Sequence, residues 1–470
     1  MKPAPHERKP ARAAAVVLTC ILAAAWTVGC DRTPEPAAEP PPEPAPRAEA
    51  EPAPETPSAP ASKASPEPAT PPPPEAAAAP SSPTSTAPAA ASAGEWPAWR
   101  GPDRTGVSTE TGWRADWSAG PPNVLWKAQL GQGWSAAAVS GGRLYSMGNT
   151  DEKDTVWCLS AETGKEVWKH TYACPAGNHP GPRCTPTVDG GSVYTLSREG
   201  HLFCLDAASG KVKWELNART KFGARPEEWG FACSPLVLGK RLIIDVGPLI
   251  ALDKATGETI WKAGADKAGY TSPYAFELGG DTLVASFNAY GPVVAKAADG
   301  KILGRYRWET KYGVNAVTPI VQGNTLFISS GYNRGAALFE VSDAGLKPLW
   351  ENKNMRNHAN NCVLHDGSLY GFNGQVNEGR LTCIDYKTGE TKWSESSLKA
   401  GGLMLADGKL IVMGSKGECA VAEASPEGFK ELGRMKVLTG TCWTQPVLVG
   451  GRIYCRNHPG DMVCLDVRGK

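Results

Sequence analysis

The feature of this sequence that most constrains its fold is a short phrase that returns along the chain. It occurs as CLSAETGKEVW (158–168), CLDAASGKVKW (204–214), ALDKATGETIW (251–261) and CIDYKTGETKW (383–393). Each copy combines two strand-like stretches with a turn between them, in which a Gly can adopt a positive φ and, in three of the four copies, an Asp can cap amides. The phrase therefore predicts a β-hairpin.

The tryptophan that closes the phrase recurs at a nearly constant interval. Its positions, spaced by 42, 46, 47, 47, 42 and 43 residues, are Trp126, Trp168, Trp214, Trp261, Trp308, Trp350 and Trp393. A degenerate eighth copy has Met435 where the Trp is expected. A second phrase of two strands and a turn, such as TPTVDGGSVYTL (185–196), lies between the copies. One period thus holds about four short strands, which is typical of a propeller blade.

The two ends of the repeat complement each other. The last copy, at 461–470, stops one strand short, and NVLWKAQL (123–130) supplies a strand before the first complete blade. We therefore predict an all-β fold over residues 95–470: an eight-bladed β-propeller of four-stranded antiparallel blades, with the last blade closed by the N-terminal strand. Seven blades is the alternative if the degenerate blade near 401–435 does not form. Closure of this kind leaves no unpaired end to the ring.

The LDxxTGxxxW phrase in eight blades resembles the PQQ-repeat (quinoprotein-like) propeller family, from roughly Trp96 to Lys470. Members of that family include pyrroloquinoline-quinone (PQQ) dehydrogenases and non-catalytic lipoproteins such as the BamB-type outer-membrane assembly factor. The resemblance implies that the repeated tryptophan packs between neighbouring blades. This role passes to Trp168, Trp214, Trp261 and Trp393, and also to Trp126, Trp308 and Trp350.

Residues 1–29 have the pattern of an export signal. Basic residues precede an apolar run at 13–28, which is short for a membrane span of about 20 residues. Ordinary signal peptidase cleavage fits the small residues at its end, and TVGC (27–30) resembles a bacterial lipobox in which Cys30 is lipidated. We favour the lipoprotein, exported and anchored to a membrane through Cys30, facing the periplasm or the cell surface. Which membrane holds it stays open.

Residues 30–94 are rich in Pro, Ala and Glu, and from Asp31 onward they contain no Val, Ile, Leu, Met or aromatic residue. Such a composition predicts a disordered segment, either a tether that extends the reach of the propeller or a neutral spacer. Its nine acidic and three basic residues give a charge of −6. With +3 on the signal, the total of +1 leaves +4 on the propeller, which argues against nucleic-acid binding.

The cysteines fall into two groups. Four of them occupy equivalent places in the repeated phrase, where a small buried residue is expected: Cys158, Cys204, Cys383 and Cys464. In an exported protein disulfides are also possible, and the loop spacing suggests two pairs. These are Cys174 with Cys184, and Cys455 with Cys464.

The chain lacks the familiar catalytic motifs, since it has no G-x-S-x-G, H-E-x-x-H, P-loop or Cys-x-x-Cys. The enzymatic alternative is a PQQ- and Ca²⁺-dependent dehydrogenase, which needs oxygen ligands for calcium and a carboxylate base. The resemblance also implies a disulfide between adjacent cysteines and long inter-blade insertions in the catalytic members, and this chain has neither. No cofactor and no catalytic or metal-binding residue is therefore expected, with PQQ and calcium kept for the alternative.

Function is expected where the segments before the first strand of each blade converge near the axis. The candidate surface there combines aromatic, basic and amide side chains, namely Trp134, Arg183, Trp229, Tyr270, Asn315, Arg356, Asn357, His358, Asn360 and Trp443. Such residues suit a ligand or peptide site, or they plug the axis. We favour a non-catalytic, membrane-tethered scaffold that binds an unknown envelope protein; a small-molecule or glycan-binding module is a third interpretation.

Overall fold

The computed structural model describes residues 94–376 and 378–469. The predicted signal (1–29), the lipidation site Cys30 and the predicted tether (30–94) lie outside the described residues, apart from Gly94. None of the helices in the described part of the chain has the length and apolar character needed to cross a membrane.

Strands of the described residues form eight sheets, one for each blade of a propeller. Blade one consists of β3 (Ala138–Ser140), β4 (Arg143–Thr150), β5 (Lys153–Ser160) and β6 (Glu166–Ala173), and blade two of β7 (Thr187–Asp189), β8 (Ser192–Leu196), β9 (His201–Asp206) and β10 (Val212–Asn217). Blade three consists of β11 (Leu236–Leu238), β12 (Arg241–Asp245), β13 (Leu249–Asp253) and β14 (Thr259–Ala263), and blade four of β15 (Tyr274–Leu278), β16 (Asp281–Phe287), β17 (Pro292–Lys296) and β18 (Ile302–Arg305).

The later blades follow the same order, with two strands contributed by the N-terminal part of the chain. Blade five consists of β19 (Ile320–Gln322), β20 (Thr325–Ser330), β21 (Gly335–Ser342) and β22 (Gly345–Asn352), and blade six of β23 (Val363–His365), β24 (Ser368–Asn373), β25 (Arg380–Asp385) and β26 (Thr391–Glu395). Blade seven consists of β27 (Gly402–Ala406), β28 (Lys409–Met413), β29 (Glu418–Glu423) and β30 (Glu431–Lys436), joined by β1 (Val107–Ser108). Blade eight consists of β31 (Val447–Val449), β32 (Arg452–Arg456) and β33 (Asp461–Asp466), joined by β2 (Asn123–Gln129). Two short helical segments of the described chain, α1 (Ala218–Phe222) and a 3₁₀ turn (Lys311–Gly313), lie in connections.

The predicted eight-bladed architecture and its closure are confirmed. β2 pairs antiparallel with β33 from Asn123 opposite Asp466 to Gln129 opposite Asp461. The degenerate seventh blade forms and gains an extra inner strand, because β1 pairs parallel with β27. Since the first and last parts of the propeller share one sheet, the ring cannot open without breaking that pairing.

The fourth strand of every blade contains a β-bulge, where the pairing with the third strand skips one residue. In six blades the residue after the bulge is a tryptophan whose indole Nε1 donates to a carbonyl in the hairpin turn of the next blade. The pairs are Trp126 with Ala161 (3.1 Å), Trp168 with Ala207 (2.9 Å), Trp214 with Lys254 (3.1 Å), Trp261 with Ala297 (3.1 Å), Trp350 with Tyr386 (3.2 Å) and Trp393 with Ser425 (2.9 Å).

The glycine of the repeated phrase receives the tryptophan of the preceding blade. At Gly210 a Cβ would lie 2.5 Å from the Trp168 ring, and at Gly257 it would lie 2.9 Å from the Trp214 ring. Both glycines also have left-handed φ values, 72° and 73°. The turn therefore requires glycine for two reasons: its backbone is left-handed, and a side chain would collide with the tryptophan ring of the preceding blade.

The alignment of Trp308 and Met435 with the docking tryptophans is wrong. The pairing register puts Gly304 and Gly433 at the position after the bulge in blades four and seven. Trp308 lies beyond β18, fully buried, and its Nε1 donates to the Ser330 hydroxyl at 2.9 Å. A residue count from one Trp to the next cannot reveal this, because the bulge decides which side chain faces the next blade.

The two blade junctions that lack a docking tryptophan are packed in different ways. A Cβ on Gly304 would lie 2.9 Å from the Leu346 amide nitrogen, so blades four and five pack backbone against backbone. At Gly433 the space is filled by Trp117, which is 5% exposed and whose backbone amide donates to the Leu432 carbonyl at 3.0 Å. A tryptophan from the N-terminal segment thus packs on the outer strand of blade seven.

The predicted disulfides are corrected by the structure, in which all eleven cysteines of the described residues are free and buried. Cys455 lies opposite Val463, and Cys464 lies opposite Tyr454. The two thiols therefore point to opposite faces of the sheet. Cys174 and Cys184 are also unpaired: the Cys184 thiol accepts a hydrogen bond from the Leu196 amide at 3.3 Å, and burial raises its pKa to about 12.

Replacing Gly210 by Ala should lower stability more than replacing Gly190 by Ala. Both glycines have a left-handed φ, 72° and 52°, but a Cβ at Gly190 meets nothing within 4 Å, whereas at Gly210 it meets Trp168. We expect about 1 kcal/mol of backbone strain in each variant and roughly 2 kcal/mol more in Gly210→Ala from overpacking. Thermal and urea unfolding measure both. Equal losses would contradict the docking role of Gly210.

Candidate functional site

The centre of the ring is crossed by residues 95–110, which we call the axial segment. Trp96 pairs with Val139 of blade one, each amide donating at 2.8 Å to the other's carbonyl, and Pro97 accepts from Val188 of blade two at 2.7 Å. Further hydrogen bonds of the axial segment reach residues in or just before blades three to eight, namely Ser234, Pro273, Thr318, Cys362, Leu405 and Gly450. One short stretch thus contacts all eight blades.

Two buried arginines make many of these contacts. The Arg104 guanidinium donates to the carbonyls of Ser234 and Pro273, both at 3.1 Å, and also to that of Pro235. Arg100 donates to the Cys362 carbonyl at 2.8 Å. Burial lowers the pKa of each guanidinium to about 10, so both stay charged at neutral pH. The carbonyl oxygens of several blades take the place of a counter-ion.

Above the axial segment lies a cavity of about 310 Å³ at one mouth of the channel. Trp99 of the axial segment forms part of its lining and donates from Nε1 to the Thr318 hydroxyl at 2.9 Å. Most of its walls come from the segments that precede the first strands of the blades, and the hairpin turn of blade five adds Tyr332. The large side chains from the preceding segments are Trp134, His179, Arg183, Trp229, Tyr270, His358 and Trp443.

Aromatic rings on both sides of the cavity hold one another. On one side Trp134 stacks between Trp443 and His458, with ring centroids 4.7 Å and 4.2 Å apart. On the other side Trp229 packs against Tyr270 at 5.6 Å, and Tyr332 packs edge-on against His358 at 4.8 Å. These interlocked rings form apolar walls without any help from a ligand.

Among the described residues, two indole N–H groups of the cavity lack acceptors, and its guanidinium lacks a carboxylate partner. Arg183 forms no ion pair with a carboxylate in the described part of the chain, and its closest acceptors are backbone carbonyls at 3.2 Å and 3.4 Å. Desolvation lowers its pKa to about 10, so it remains charged at neutral pH. Trp134 Nε1 and Trp229 Nε1 are buried with no partner among the described protein atoms. The cavity therefore suits an apolar group that carries acceptor oxygens.

His358 at the cavity wall is a neutral imidazole at physiological pH. Burial lowers its pKa to about 4, and its Nδ1 has no hydrogen-bond partner among the described protein atoms. Its ring packs on Tyr332. His358 therefore contributes apolar contact area and a polar edge to the wall, and no positive charge.

Six of the ten predicted surface residues line this cavity. They are Trp134, Arg183, Trp229, Tyr270, His358 and Trp443. The structure places the other four elsewhere. Asn315 and Asn357 are fully buried and Asn360 is 4% exposed, and their amides donate to backbone carbonyls, for example Asn315 Nδ2 to the Asn288 carbonyl at 2.8 Å. Arg356 lines a separate groove beside the cavity.

The role of the axial segment was not predicted from the sequence, although its composition is unusual. EWPAWRGPDRTG (95–106) places two Trp and two Arg directly after a long stretch without aromatic residues, and it matches neither repeated phrase. The position of Tyr332 was missed as well, because it lies in a hairpin turn of blade five, where the φ of Tyr332 is 49°. A non-repeat stretch within a repeat protein was the available signal.

The residues of the cavity do not fit a calcium-dependent quinone. None of the described residues that line it is Asp or Glu, so it offers neither the carboxylate ligands that calcium prefers nor a carboxylate base. Across residues 94–376 and 378–469, no group of three His, Cys, Asp or Glu side chains could hold a metal ion. The chemistry of the donor set therefore does not support the dehydrogenase alternative.

Comparison with known proteins connects this architecture to a family. Residues 107–182 and 176–395 match the family model described as outer membrane protein assembly factor BamB, and together these stretches cover more than half of the chain. The chain belongs to the BamB family of PQQ-repeat propellers. The matched stretches end with blade six, so the C-terminal strands of blades seven and eight, β27 to β33, lie beyond them in this BamB-family chain.

The relatives of this chain include both an assembly factor and a quinone-dependent dehydrogenase. The chain is 25% identical over 176 residues to BamB of Burkholderia pseudomallei, covering 36% of this chain and 42% of that protein. It is 33% identical over 93 residues to the 1-butanol dehydrogenase (quinone) of Thauera butanivorans, covering 18% of this chain and 14% of the enzyme. The chain thus spans less than half the length of each of these relatives.

Solved structures of both kinds share the fold. BamB from Moraxella catarrhalis superposes with a TM-score of 0.55 at 16% identity, over 74% of this chain and 98% of that one. The quinohemoprotein alcohol dehydrogenase from Comamonas testosteroni gives a TM-score of 0.59 at 14% identity, over 80% and 81%. At such low identities the likeness extends to the fold alone.

Replacing Arg104 by Lys should destabilise the propeller by roughly 2–3 kcal/mol, because an ammonium cannot reach several carbonyls with a planar fork. Arg143→Lys is the matched control, since Arg143 also donates to two carbonyls, at 2.7 Å and 3.2 Å, but at the partly exposed edge of the ring where water can replace it. Thermal unfolding of the two variants makes the comparison. Equal, small losses would mean that the axial segment does not tie the blades together.

Proposed function

We propose that this protein is a non-catalytic binding protein of the bacterial cell envelope, whose propeller docks a partner protein at the cavity over the axial segment. The observation that carries the proposal is the composition of the cavity. Large aromatic rings, one unpaired guanidinium and unpartnered donors line it, with no carboxylate among its described lining residues. Aromatic and Arg side chains are the usual anchors of protein interfaces, whereas the carboxylates that a calcium site or a carboxylate base would need are missing from the described lining residues.

The envelope location is supported by the N-terminal sequence and by the family. A basic segment, an apolar run and TVGC at 27–30 precede a stretch without core-forming residues. Membership of a family described as an outer membrane assembly factor fits an exported protein. We propose that Cys30 carries the lipid and that residues 31–94 let the propeller reach partners away from the membrane.

The anchor can be tested in the native cell. With the full chain, radiolabelled palmitate should be incorporated into the wild-type protein and not into Cys30→Ser, because the lipobox modification attaches its lipid through the cysteine sulfur. The variant should then leave the membrane fraction. Cys20→Ser is the matched control, since Cys20 lies within the apolar run of the signal. Equal labelling of the wild type and Cys30→Ser would contradict lipidation.

Docking at the cavity can be tested by site-specific photo-crosslinking in cells. A benzoyl-phenylalanine at Ala359, an exposed residue of the cavity lining, should give a discrete adduct with another protein. The same group at Ala344, exposed in the outer hairpin turn of blade five, should not. Combining the Ala359 crosslinker with Trp134→Ala and Trp443→Ala should reduce the adduct about ten-fold or more, because each truncated anchor costs at least about 1 kcal/mol.

The competing interpretations predict other results. Identical adducts from Ala359 and Ala344, or an adduct indifferent to the two tryptophans, would remove the cavity from the interaction. Dye reduction by the purified full chain with PQQ, Ca²⁺ and an alcohol would establish the dehydrogenase instead. Thermal unfolding of Trp134→Ala with Trp443→Ala checks that a lost adduct does not come from an unfolded propeller.

A further inference from the structure

A polar groove lies beside the aromatic cavity, and the two share a wall. The groove has a volume of about 690 Å³ and lies between blades five and six. Tyr332 lines both the cavity and the groove, and His358 and Tyr312 hold its ring from two sides, at 4.8 Å and 5.6 Å. An extended ligand can therefore pass over Tyr332 from one compartment to the other.

The groove differs from the cavity in its charge. Lys311, Arg356 and Arg380 line it, against one carboxylate, Glu378. None of these three cations forms an ion pair with a carboxylate in the described part of the chain. Arg356 is oriented by the Asn373 side-chain oxygen at 2.9 Å and by that of Asn333 at 3.3 Å. Lys311 and Arg380 are exposed, so their charges face solvent along the groove.

The same sign of charge continues into the cavity. Arg183 in its wall has no carboxylate partner among the described residues. The groove cations Lys311, Arg356 and Arg380, set against the single carboxylate of Glu378, attract acidic partners by complementarity.

We propose that the cavity and groove together bind a segment of a partner protein in which one aromatic side chain is flanked by acidic residues. The aromatic residue enters the cavity over Trp99, and the carboxylates pair with Lys311, Arg356 and Arg380. This inference rests on the proposed function and specifies its partner. The protein's own residues 31–94 cannot fill the site in this way, because they contain acidic residues but no aromatic one.

The test uses the purified full chain and three synthetic peptides. The acidic peptide is acetyl-Glu-Glu-Ser-Trp-Ser-Glu-Glu-amide, which carries carboxylates on both sides of the ring and so suits either chain direction. The neutral peptide has Gln for every Glu, and the truncated peptide has Ala for Trp. Isothermal titration measures each affinity. We expect the acidic peptide to bind with a 1:1 stoichiometry, and both altered peptides to bind at least about ten-fold more weakly.

A pair of charge variants locates the acidic half of the peptide. Lys311→Gln with Arg380→Gln should weaken binding of the acidic peptide about ten-fold, as the loss of two exposed ion pairs predicts, and should leave the neutral peptide unchanged. Lys347→Gln with Lys387→Gln removes the same charge from exposed positions on the outer side of blades five and six, and should change neither affinity. All four side chains are exposed, so these variants should fold.

The outcomes separate this inference from the proposed function. N-acetyl-tryptophanamide tests the cavity alone. If it binds but the acidic and neutral peptides bind equally, the cavity is a docking site and the acidic partner is wrong. If it binds within three-fold of the acidic peptide, a small aromatic molecule is the better occupant. If neither the amide nor any peptide binds, the docking function itself fails.

Discussion

The rest of this structure depends on the contact between a tryptophan ring of one blade and the glycine turn of the next. The bulge in each outer strand directs the ring toward its neighbour, and the glycine leaves room for it. An indole buries roughly 150–250 Å², and its Nε1 hydrogen bond sets the rotation between blades. Six of the eight blade junctions have this contact, so it holds most blades against their neighbours around the ring.

Where that contact is missing, the chain supplies a substitute. Gly304 lets blade five approach blade four backbone to backbone, and Trp117 packs where blade seven has Gly433. The axial segment adds a second set of restraints across the centre, through Arg100 and Arg104. The contacts between blades and the contacts of the axial segment together close the channel below the aromatic cavity. This cavity is the site at which we propose that a partner docks.

The chemistry of the cavity follows from which groups are paired. The buried arginines of the axis donate to carbonyls and keep their charge. Arg183 also donates to two backbone carbonyls but has no carboxylate partner in the described part of the chain, and the indoles of Trp134 and Trp229 have no acceptor among the described protein atoms. A cavity with apolar walls, donors and a basic groove selects partners by shape and charge. The described lining residues include no Asp or Glu, so they offer neither calcium ligands nor a carboxylate base, whereas their aromatic rings and guanidinium suit the binding of a partner.

The sequence by itself determined the blades, because hairpins depend on turn residues and alternation within a few positions, and the LDxxTGxxxW phrase displays both. Closure by residues 123–130 also followed from counting strands. Six residues of the cavity were expected from the segments before the first strand of each blade and their neighbouring loops, since equivalent segments of a repeat converge near the axis. Only the tertiary structure decided that Trp308 is not a docking residue, that Trp117 packs on Gly433, and that the cysteines at 455 and 464 face apart. Each of these depends on register or on contacts between distant parts of the chain. The axial segment shows the limit most clearly: its arginines are meaningful only beside the carbonyls of several blades, which no local pattern brings together.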